Sequence, residues 1–271
     1  MHQAHTIVGM EWLEAIILGL IQGLTEFIPI SSSGHLVIAQ TFLSGASDHL
    51  FLEFINVGTT LALIVFFRRK IAALLGDVFV RKNYLLARNI LLSVIPAGLV
   101  GFLLATFIAE TPFFNSAVTV VFTLLIIGVV MIVLERLPRA SEIKDGAHLS
   151  KGRALMVGVA QMVALIPGVS RSGSTIIAGR LLGLKPAEAA EYSFLVSIPI
   201  MIGVTAKIFL TDFDYLVANA GVFVVSNAAA FISGLLAVGF LMRYLSKHSL
   251  AVFGWYRVGL SLVVATILLV Q

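Results

Sequence analysis

Two short polar stretches of similar sequence interrupt a strongly apolar chain. Residues 28–39 read IPISSSGHLVIA, and residues 167–178 read PGVSRSGSTIIA. The first stretch combines serine hydroxyls with the imidazole of His35, and a serine beside a base can attack a phosphorus atom. The second contains Arg171, whose planar guanidinium suits the oxygens of a phosphate group. Together the two stretches indicate a site that binds phosphate and reacts with it.

Both stretches belong to a pattern that repeats with an offset of 139 residues, from Ser31 to Ser170. Chance similarity between Gly- and Ser-rich apolar segments is the alternative interpretation. The shared spacing on both sides of each stretch argues against it. The matching pairs are Gly19 and Gly158, Gln22 and Gln161, Ser31 and Ser170, Ser33 and Ser172, and Gly34 and Gly173.

The differences between the two stretches predict a division of roles. The first half carries a hydroxyl, an imidazole and a carboxylate, whereas the second carries a fixed positive charge. Ser32 and His35 are three residues apart on a turn that opens a helix, so we expect a hydrogen bond between them. A purely structural histidine is the alternative. The predicted catalytic residues are Ser32, His35, Glu26 and Arg171, and the first three correspond to Arg171, Ser174 and Leu165 in the second repeat.

Hydroxyl and backbone donors around both stretches are predicted to bind the substrate. Each stretch opens a helix at Ser-x-Ser-Gly, and a helix N-terminus offers free N–H groups and a partial positive charge. An Arg in mid-membrane costs about 2.5–3.5 kcal/mol to insert, which favours a functional role for Arg171. An ion pair with Glu26 that only stabilises the fold is the alternative. The predicted substrate-binding residues are Ser31, Ser33, Gly34, Ser170, Ser172, Gly173, Ser174 and Thr175.

Further polar residues in the apolar segments extend the predicted site. Glu26 lies one helical turn after Gln22, and a carboxylate with an amide carbonyl could hold a divalent cation through oxygen. Glu53 and Asn56 open an apolar segment and could face the same cavity. For Arg257, snorkelling to the membrane surface and a role at the site are equally supported.

The composition indicates that the chain is integral to a membrane. Of 271 residues, 59% are hydrophobic and 12% are charged, against roughly 25% charged in a soluble domain. The absence of Cys excludes disulfides and thiolate chemistry. The net charge of +4 comes from basic residues in short loops, so it indicates membrane orientation and not nucleic-acid binding. Residues 1–10 lack the basic region of a secretory signal peptide, and we expect none.

The apolar pattern predicts an all-α polytopic membrane protein with about six transmembrane helices and two re-entrant helical hairpins. Hairpins are predicted at 11–44 and 152–184, because Pro29 and Pro167 break each segment into halves too short to span a bilayer. The predicted spans are 50–67, 85–109, 113–134, 188–210, 216–242 and 249–270.

Lys and Arg residues predict the orientation of these elements. The basic residues cluster in loops 68–83 and 135–153 and around Arg243 and Lys247, which the positive-inside rule assigns to the cytoplasm. Hairpin 11–44 then enters from outside and hairpin 152–184 from inside. A single membrane domain, 1–271, would therefore contain an inverted-topology repeat, with repeat one at about 11–134 and repeat two at about 152–270.

The stretches GLIQGLTEFIPISSSGH and PGVSRSGSTI closely resemble the two signature motifs of the undecaprenyl-diphosphate phosphatase family of the bacitracin-resistance type. The resemblance extends over essentially the whole chain, including YSFLVSIPIMIG and a late WYR. It implies a bacterial inner-membrane enzyme with its active site open to the outer face. Such an enzyme removes the terminal phosphate of undecaprenyl diphosphate and regenerates the lipid carrier for cell-wall synthesis.

The resemblance also implies roles for individual residues. The family's (Glu/Gln)-x-x-x-Glu pair, linked to a divalent cation that is usually Mg²⁺ or Ca²⁺, corresponds to Gln22 and Glu26. Gln in place of the Glu that often comes first removes one negative ligand. The reactive serine and histidine correspond to Ser32 and His35, and the family's arginine corresponds to Arg171.

A polyprenyl-phosphate flippase or anion transporter is the alternative function, because inverted repeats with an anion site at the midplane are also typical of transporters. A carrier has no evident need for Ser, His and Glu in one repeat only, so the asymmetry favours the enzyme. The expected partners are undecaprenyl diphosphate and membrane lipid. The sequence leaves a homo-oligomer possible, and it leaves open whether Ser32 forms a phosphoenzyme or His35 activates water.

Overall fold

The computed structural model describes residues 11–39, 42–43, 49–137 and 143–270, and these ranges are almost entirely helical. Residues 40, 41 and 44 of the first predicted hairpin, and Arg139 of a predicted loop, lie outside the described residues. The all-α prediction is confirmed. The helices are α1 (Trp12–Phe27), α2 (Ser32–Ala39), α3 (His49–Phe66), α4 (Arg68–Phe79), α5 (Leu85–Leu103), α6 (Ala105–Glu110), α7 (Ala117–Leu134), α8 (Lys151–Val163), α9 (Arg171–Leu181), α10 (Pro186–Thr211), α11 (Phe213–Ala218), α12 (Ala220–Leu245) and α13 (Ala251–Val270).

Five of these helices, α5, α7, α10, α12 and α13, are long and apolar enough to cross a membrane. Helices α3 and α4 meet at a bend of 69° and provide a sixth candidate when taken together. The prediction of a multi-pass membrane protein with about six spans is confirmed. The spans differ in detail from the predicted ranges, because α5 ends at Leu103 and a separate helix, α6, follows.

The predicted loop 68–83 is largely helical. Helix α4 begins at Arg68 and contains RRKIAALLGDVF, which is rich in strong helix formers. It has no buried residue, so its basic side chains remain exposed. Arg81 donates to Asp77 at 2.5 Å and to the Ala73 carbonyl at 3.0 Å, which closes the C-terminal end of the helix.

The two segments predicted as hairpins each form two short helices, α1 with α2 and α8 with α9. Their lengths are 16, 8, 13 and 11 residues. Even the longest extends only about 24 Å at 1.5 Å per residue, less than the roughly 30 Å hydrocarbon core. Within each pair the helices pack on each other. The helix pairs are those that re-entrant hairpins require, and re-entry into the bilayer stays a prediction.

Helix packing exchanges partners between the two halves of the chain. Helix α1 packs on α12 and α8 packs on α5, while α7 and α13 pack on each other. The corresponding glycines Gly19 and Gly158 lie at the first two crossings. A Cβ atom would come within 2.2 Å of the Ser226 carbonyl oxygen at Gly19, and within 2.7 Å of the Ser93 carbonyl oxygen at Gly158. This exchange follows the pattern of the proposed repeat, although the domain boundaries stay a prediction.

Candidate active site

The two polar stretches adopt the same unusual backbone conformation just before α2 and α9. Ser31 and Ser170, which correspond at the offset of the repeat, have φ angles of 73° and 71°. Residues other than glycine rarely adopt positive φ, and such strained residues concentrate at functional sites. The Ser31 hydroxyl accepts the N–H of Gly34 at 3.3 Å, and the Ser170 hydroxyl accepts that of Gly173 at 3.1 Å. Both serines thus cap the N-terminus of a short helix.

The tips of the two helix pairs contact each other directly. The hydroxyl of Ser33 accepts the N–H of Gly168 at 2.9 Å. In the opposite direction, the hydroxyl of Ser172 donates to the carbonyl oxygen of Glu26 at 3.3 Å. The N-termini of α2 and α9 are therefore adjacent, as an anion site between them requires.

Arg257 of α13 holds both tips. Its side chain is fully buried, with 0% exposure. It donates to the Pro29 carbonyl at 3.3 Å, to the Val169 carbonyl at 3.1 Å and to the Gly168 carbonyl. Pro29 and Gly168 correspond in the two repeats, so one guanidinium binds equivalent carbonyls of both tips. The sequence supported two roles for Arg257, snorkelling to the membrane surface and a role at the site. Its burial shows that snorkelling is wrong.

An ion pair between Glu26 and Arg171 lies where the tips meet. Arg171 Nη2 lies 2.6 Å from Glu26 Oε1, and the two side chains are 20% and 15% exposed. The other carboxylate oxygen, Oε2, accepts from the Ser32 hydroxyl at 3.1 Å and from Gln22 Nε2 at 3.0 Å. The ion pair that the sequence offered as an alternative is thus formed. It lines a cavity, so the pairing does not isolate Arg171 from a ligand.

His35 makes no hydrogen bond to Ser32. Both residues are described by the structure, and the prediction of a hydrogen bond between them is wrong. Nδ1 of His35 donates to the Ser31 carbonyl at 2.8 Å, and Nε2 lies 2.7 Å from the Tyr256 hydroxyl. The His35 and Tyr256 rings also stack with centroids 5.6 Å apart. Helical side chains lean toward the N-terminus of their helix, which brings the imidazole to the carbonyl one turn before it.

Two adjoining cavities bring many of the predicted residues together. One, of about 390 Å³, is lined by Gln22, Glu26, Ser32, Ser33, Leu36, Leu52, Glu53, Asn56, Arg171, Met201 and Val204. The other, of about 250 Å³, is lined by Glu26, Ser31, Ser32, Ser33, Ala164, Ile166, Pro167, Gly168, Ser170 and Arg171. Glu26, Ser32, Ser33 and Arg171 line both, so the predicted carboxylate, hydroxyls and guanidinium share one space.

The remaining predicted residues lie behind this space. His35, Gly34, Ser172 and Gly173 do not line either cavity. The hydroxyls of Ser174 and Thr175 donate to the Arg171 carbonyl at 3.0 and 2.8 Å, and both side chains are buried. In this structure these residues support the start of α9, and their role in substrate binding stays a prediction.

Tyr256 is a polar contact of the site that the sequence did not single out. It lies 221 residues from His35, and only its position beside Arg257 in the late WYR stretch could have drawn attention to it. The sequence allowed Glu53 and Asn56 to face the site, and both line the larger cavity. Asn56 accepts a hydrogen bond from Gln22 Nε2 at 2.8 Å.

The oxygen atoms around Glu26 fit a hard divalent cation in chemical type. Carboxylate and amide oxygens are the ligands that Mg²⁺ and Ca²⁺ prefer. The 390 Å³ cavity contains the carboxylates of Glu26 and Glu53 and the amides of Gln22 and Asn56. No group of three or more His, Cys, Asp or Glu side chains suited to a metal occurs in the part of the chain that the structure describes. Metal binding by Gln22 and Glu26 stays a prediction.

Comparison with known proteins gives one consistent family. The model of the bacitracin resistance protein BacA family matches residues 15–263. The chain is 38% identical to an undecaprenyl-diphosphatase of Clavibacter michiganensis in an alignment 273 positions long, which covers 96% of this chain and 97% of the relative. It is 37% identical to undecaprenyl-diphosphatase 1 of Clostridioides difficile, with coverage of 94% and 95%. It is 39% identical to an undecaprenyl-diphosphatase of Methylococcus capsulatus, with coverage of 94% of both chains.

Proposed function

Because the chain belongs to the bacitracin resistance protein BacA family, we propose that it hydrolyses undecaprenyl diphosphate to undecaprenyl phosphate and inorganic phosphate. This reaction would recycle the lipid carrier of cell-wall synthesis. The observation that carries the proposal is the meeting of two helix N-termini beside Arg171, with the Ser32 hydroxyl on Glu26 in the same cavity.

Binding of the diphosphate is assigned to Arg171 and the two tips. Arg171 uses Nη2 for Glu26, and its other N–H groups have no hydrogen-bond partner among the described residues. These donors can form a bidentate contact with phosphate oxygens while the ion pair persists. The free N–H groups at the starts of α2 and α9 add donors and partial positive charge.

The reaction is assigned to Ser32 and Glu26. The Ser32 hydroxyl donates to Glu26 Oε2 at 3.1 Å, so this carboxylate is in position to take the proton as Ser32 attacks the terminal phosphorus. The bond from that phosphorus to the bridging oxygen breaks, and undecaprenyl phosphate leaves. Water then hydrolyses the phosphoserine and releases inorganic phosphate. Water activation by Glu26, without a phosphoserine, is the competing route; His35, which the sequence also offered for this role, lines neither cavity.

A divalent cation, Mg²⁺ or Ca²⁺, held by Glu26 and the neighbouring oxygen ligands would neutralise charge on the diphosphate when bound. The other roles belong to the chain's own residues. His35 is assigned to the support of the first tip, because its two ring nitrogens are occupied by Ser31 and Tyr256.

The location is proposed to be the bacterial inner membrane, with the site open to the outer side. The basic residues in and just after α4 and in the segment 143–153 support this orientation through the positive-inside rule. The surrounding membrane lipid and the lipid-linked diphosphate are the expected partners. Assembly into a homo-oligomer, which the sequence left open, stays a prediction.

Phosphate release by the purified protein in detergent micelles tests the function. A micelle has no second compartment, so a flippase or transporter without hydrolytic activity would release no phosphate. The exchange of helix partners between the halves of the chain is the feature that keeps the transporter as second candidate. We expect release from undecaprenyl diphosphate by the unmodified protein and loss of release in Arg171→Ala. Absence of release with the unmodified protein would contradict the proposed function.

A further inference from the structure

We propose that Glu53 supplies a second carboxylate for the divalent cation, which would bind between α1 and α3 to Glu26, Glu53 and an amide oxygen of Asn56 or Gln22. This inference rests on the proposed function and extends it. It assigns Glu53 a role that neither motif predicts, because Glu53 belongs to α3 and lies outside both polar stretches.

The first reason is that the negative charge of Glu26 is already balanced by Arg171. Its Oε1 pairs with Arg171 at 2.6 Å, and its Oε2 accepts from Ser32 and Gln22. Arg171 neutralises this carboxylate and repels a cation placed beside it. Gln22 contributes no negative charge, and its amide nitrogen is the atom that faces Glu26 and Asn56. Glu26 and Gln22 alone are therefore a poor site for a divalent cation.

The second reason is the position of Glu53. Its side chain is exposed and lines the same cavity as Glu26. Among the described residues, Glu53 makes no hydrogen bond and no ion pair. Asn56 lies three residues further along α3, on the same side of the helix, and its Oδ1 is 2.8 Å from Gln22 Nε2. Glu53 thus lies on the α3 side of the cavity. Hydrogen bonds through Asn56 and Gln22 connect this side to Glu26 on α1.

The third reason is the charge of the ligand. The charged residues that line the 390 Å³ cavity are Glu26, Glu53 and Arg171, which sum to one negative charge. A diphosphate anion that enters such a cavity is repelled by an unneutralised carboxylate. A cation between Glu53 and the phosphate oxygens removes this repulsion, and oxygen ligands of this kind suit Mg²⁺, Ca²⁺ and Mn²⁺.

Binding of Mn²⁺ to the purified protein in detergent, followed by the loss of the free-ion electron paramagnetic resonance signal, tests the inference without reference to activity. We expect Glu53→Gln to raise the Kd for Mn²⁺ by about tenfold or more, because affinity follows the number of charged ligands. The matched control is Glu110→Gln, which removes an exposed carboxylate outside the cavity and should leave the Kd unchanged.

A double variant makes the test independent of any general damage from the single change. Gln22→Glu combined with Glu53→Gln moves the second carboxylate from α3 to α1, across the same group of ligands. If one cation contacts both helices, this variant should recover most of the lost affinity. Melting curves for all variants would verify that each is folded.

The outcomes separate this inference from the proposed function. An unchanged Kd in folded Glu53→Gln, or no Mn²⁺ binding by the unmodified protein, would overturn the cation site, even if phosphate release is intact. Lack of rescue by Gln22→Glu would contradict a site shared by α1 and α3. Mn²⁺ binding that depends on Glu53, in a protein that releases no phosphate, would overturn the function and leave the site standing.

Discussion

The guanidinium of Arg171 pairs with Glu26 and also lines both cavities. The ion pair is only partly buried, with Arg171 and Glu26 20% and 15% exposed at the cavity wall. A ligand in the cavity can therefore reach Arg171 while its ion pair with Glu26 persists. The geometry of the fork then matters as much as the charge.

Replacement of Arg171 by Lys separates charge from geometry. Arg171→Lys keeps the positive charge and the option of pairing with Glu26, but it loses the planar bidentate contact. We expect kcat/KM for phosphate release to fall by about tenfold or more, a loss of roughly 1.4 kcal/mol of transition-state stabilisation. Near-normal turnover in Arg171→Lys would contradict a bidentate contact.

The hydrogen bond from Ser32 to Glu26 predicts which residues act as a unit. If Glu26 takes the proton of Ser32, then Ser32→Ala and Glu26→Gln should each remove most of the rate, and the double variant should lose little more. Ser32→Ala with His35→Ala should instead show separate losses, because these side chains share no contact in the structure. Additive losses for Ser32 and Glu26 would contradict the assignment of Glu26 as base.

At the scale of the elements, two short helices per hairpin could be predicted from the sequence because their signals are local. Pro29 and Pro167 end one helix, and Ser-x-Ser-Gly opens the next. The direction of side chains within the tip was harder to predict. The spacing of Ser32 and His35 allowed a hydrogen bond, but the way in which α1 returns to α2 places Glu26 beside Ser32 instead.

Contacts between elements that are distant in the chain could not be predicted from sequence patterns. Arg257 lies 228 residues from Pro29, and Tyr256 lies 221 residues from His35. A lone Arg near the end of an apolar helix supports snorkelling and burial equally well, since both fates depend on neighbours that the local sequence does not contain. Helix α4 was missed for another reason: its charges marked it as a loop, although its residues favour a helix.

The contact of Arg257 with both tips can be tested through stability. Arg257→Met keeps much of the volume but leaves buried carbonyls of Pro29, Gly168 and Val169 without a donor. Each unsatisfied buried group costs about 1–3 kcal/mol, so we expect the melting temperature in detergent to fall by several degrees, together with activity. Arg243→Met is the control, because Arg243 is exposed on α12 and its side chain donates to neither tip among the described residues. Equal melting temperatures for the two variants would contradict the role of Arg257 in holding the tips.

At the scale of the whole molecule, the exchange of helix partners ties the two halves into one unit. Helix α1 depends on α12 and α8 depends on α5, so neither half can bury its own hairpin alone. The hairpins that carry the two tips are thus each packed by the opposite half. If they enter the bilayer from opposite faces, as the sequence predicts, the orientation of the loops determines which face the cavity opens to.

Labelling of single cysteines in intact cells tests this orientation. The chain has no Cys, so Asp214→Cys and Lys144→Cys each introduce one thiol at an exposed position. The positive-inside rule assigns α11, with Asp214, to the outer face, and residue 144 to the cytoplasm. An impermeant thiol reagent should label position 214 and spare position 144. After the membrane is permeabilised, both positions should react, which controls for accessibility. Labelling of 144 alone in intact cells would reverse the topology and turn the candidate active site toward the cytoplasm.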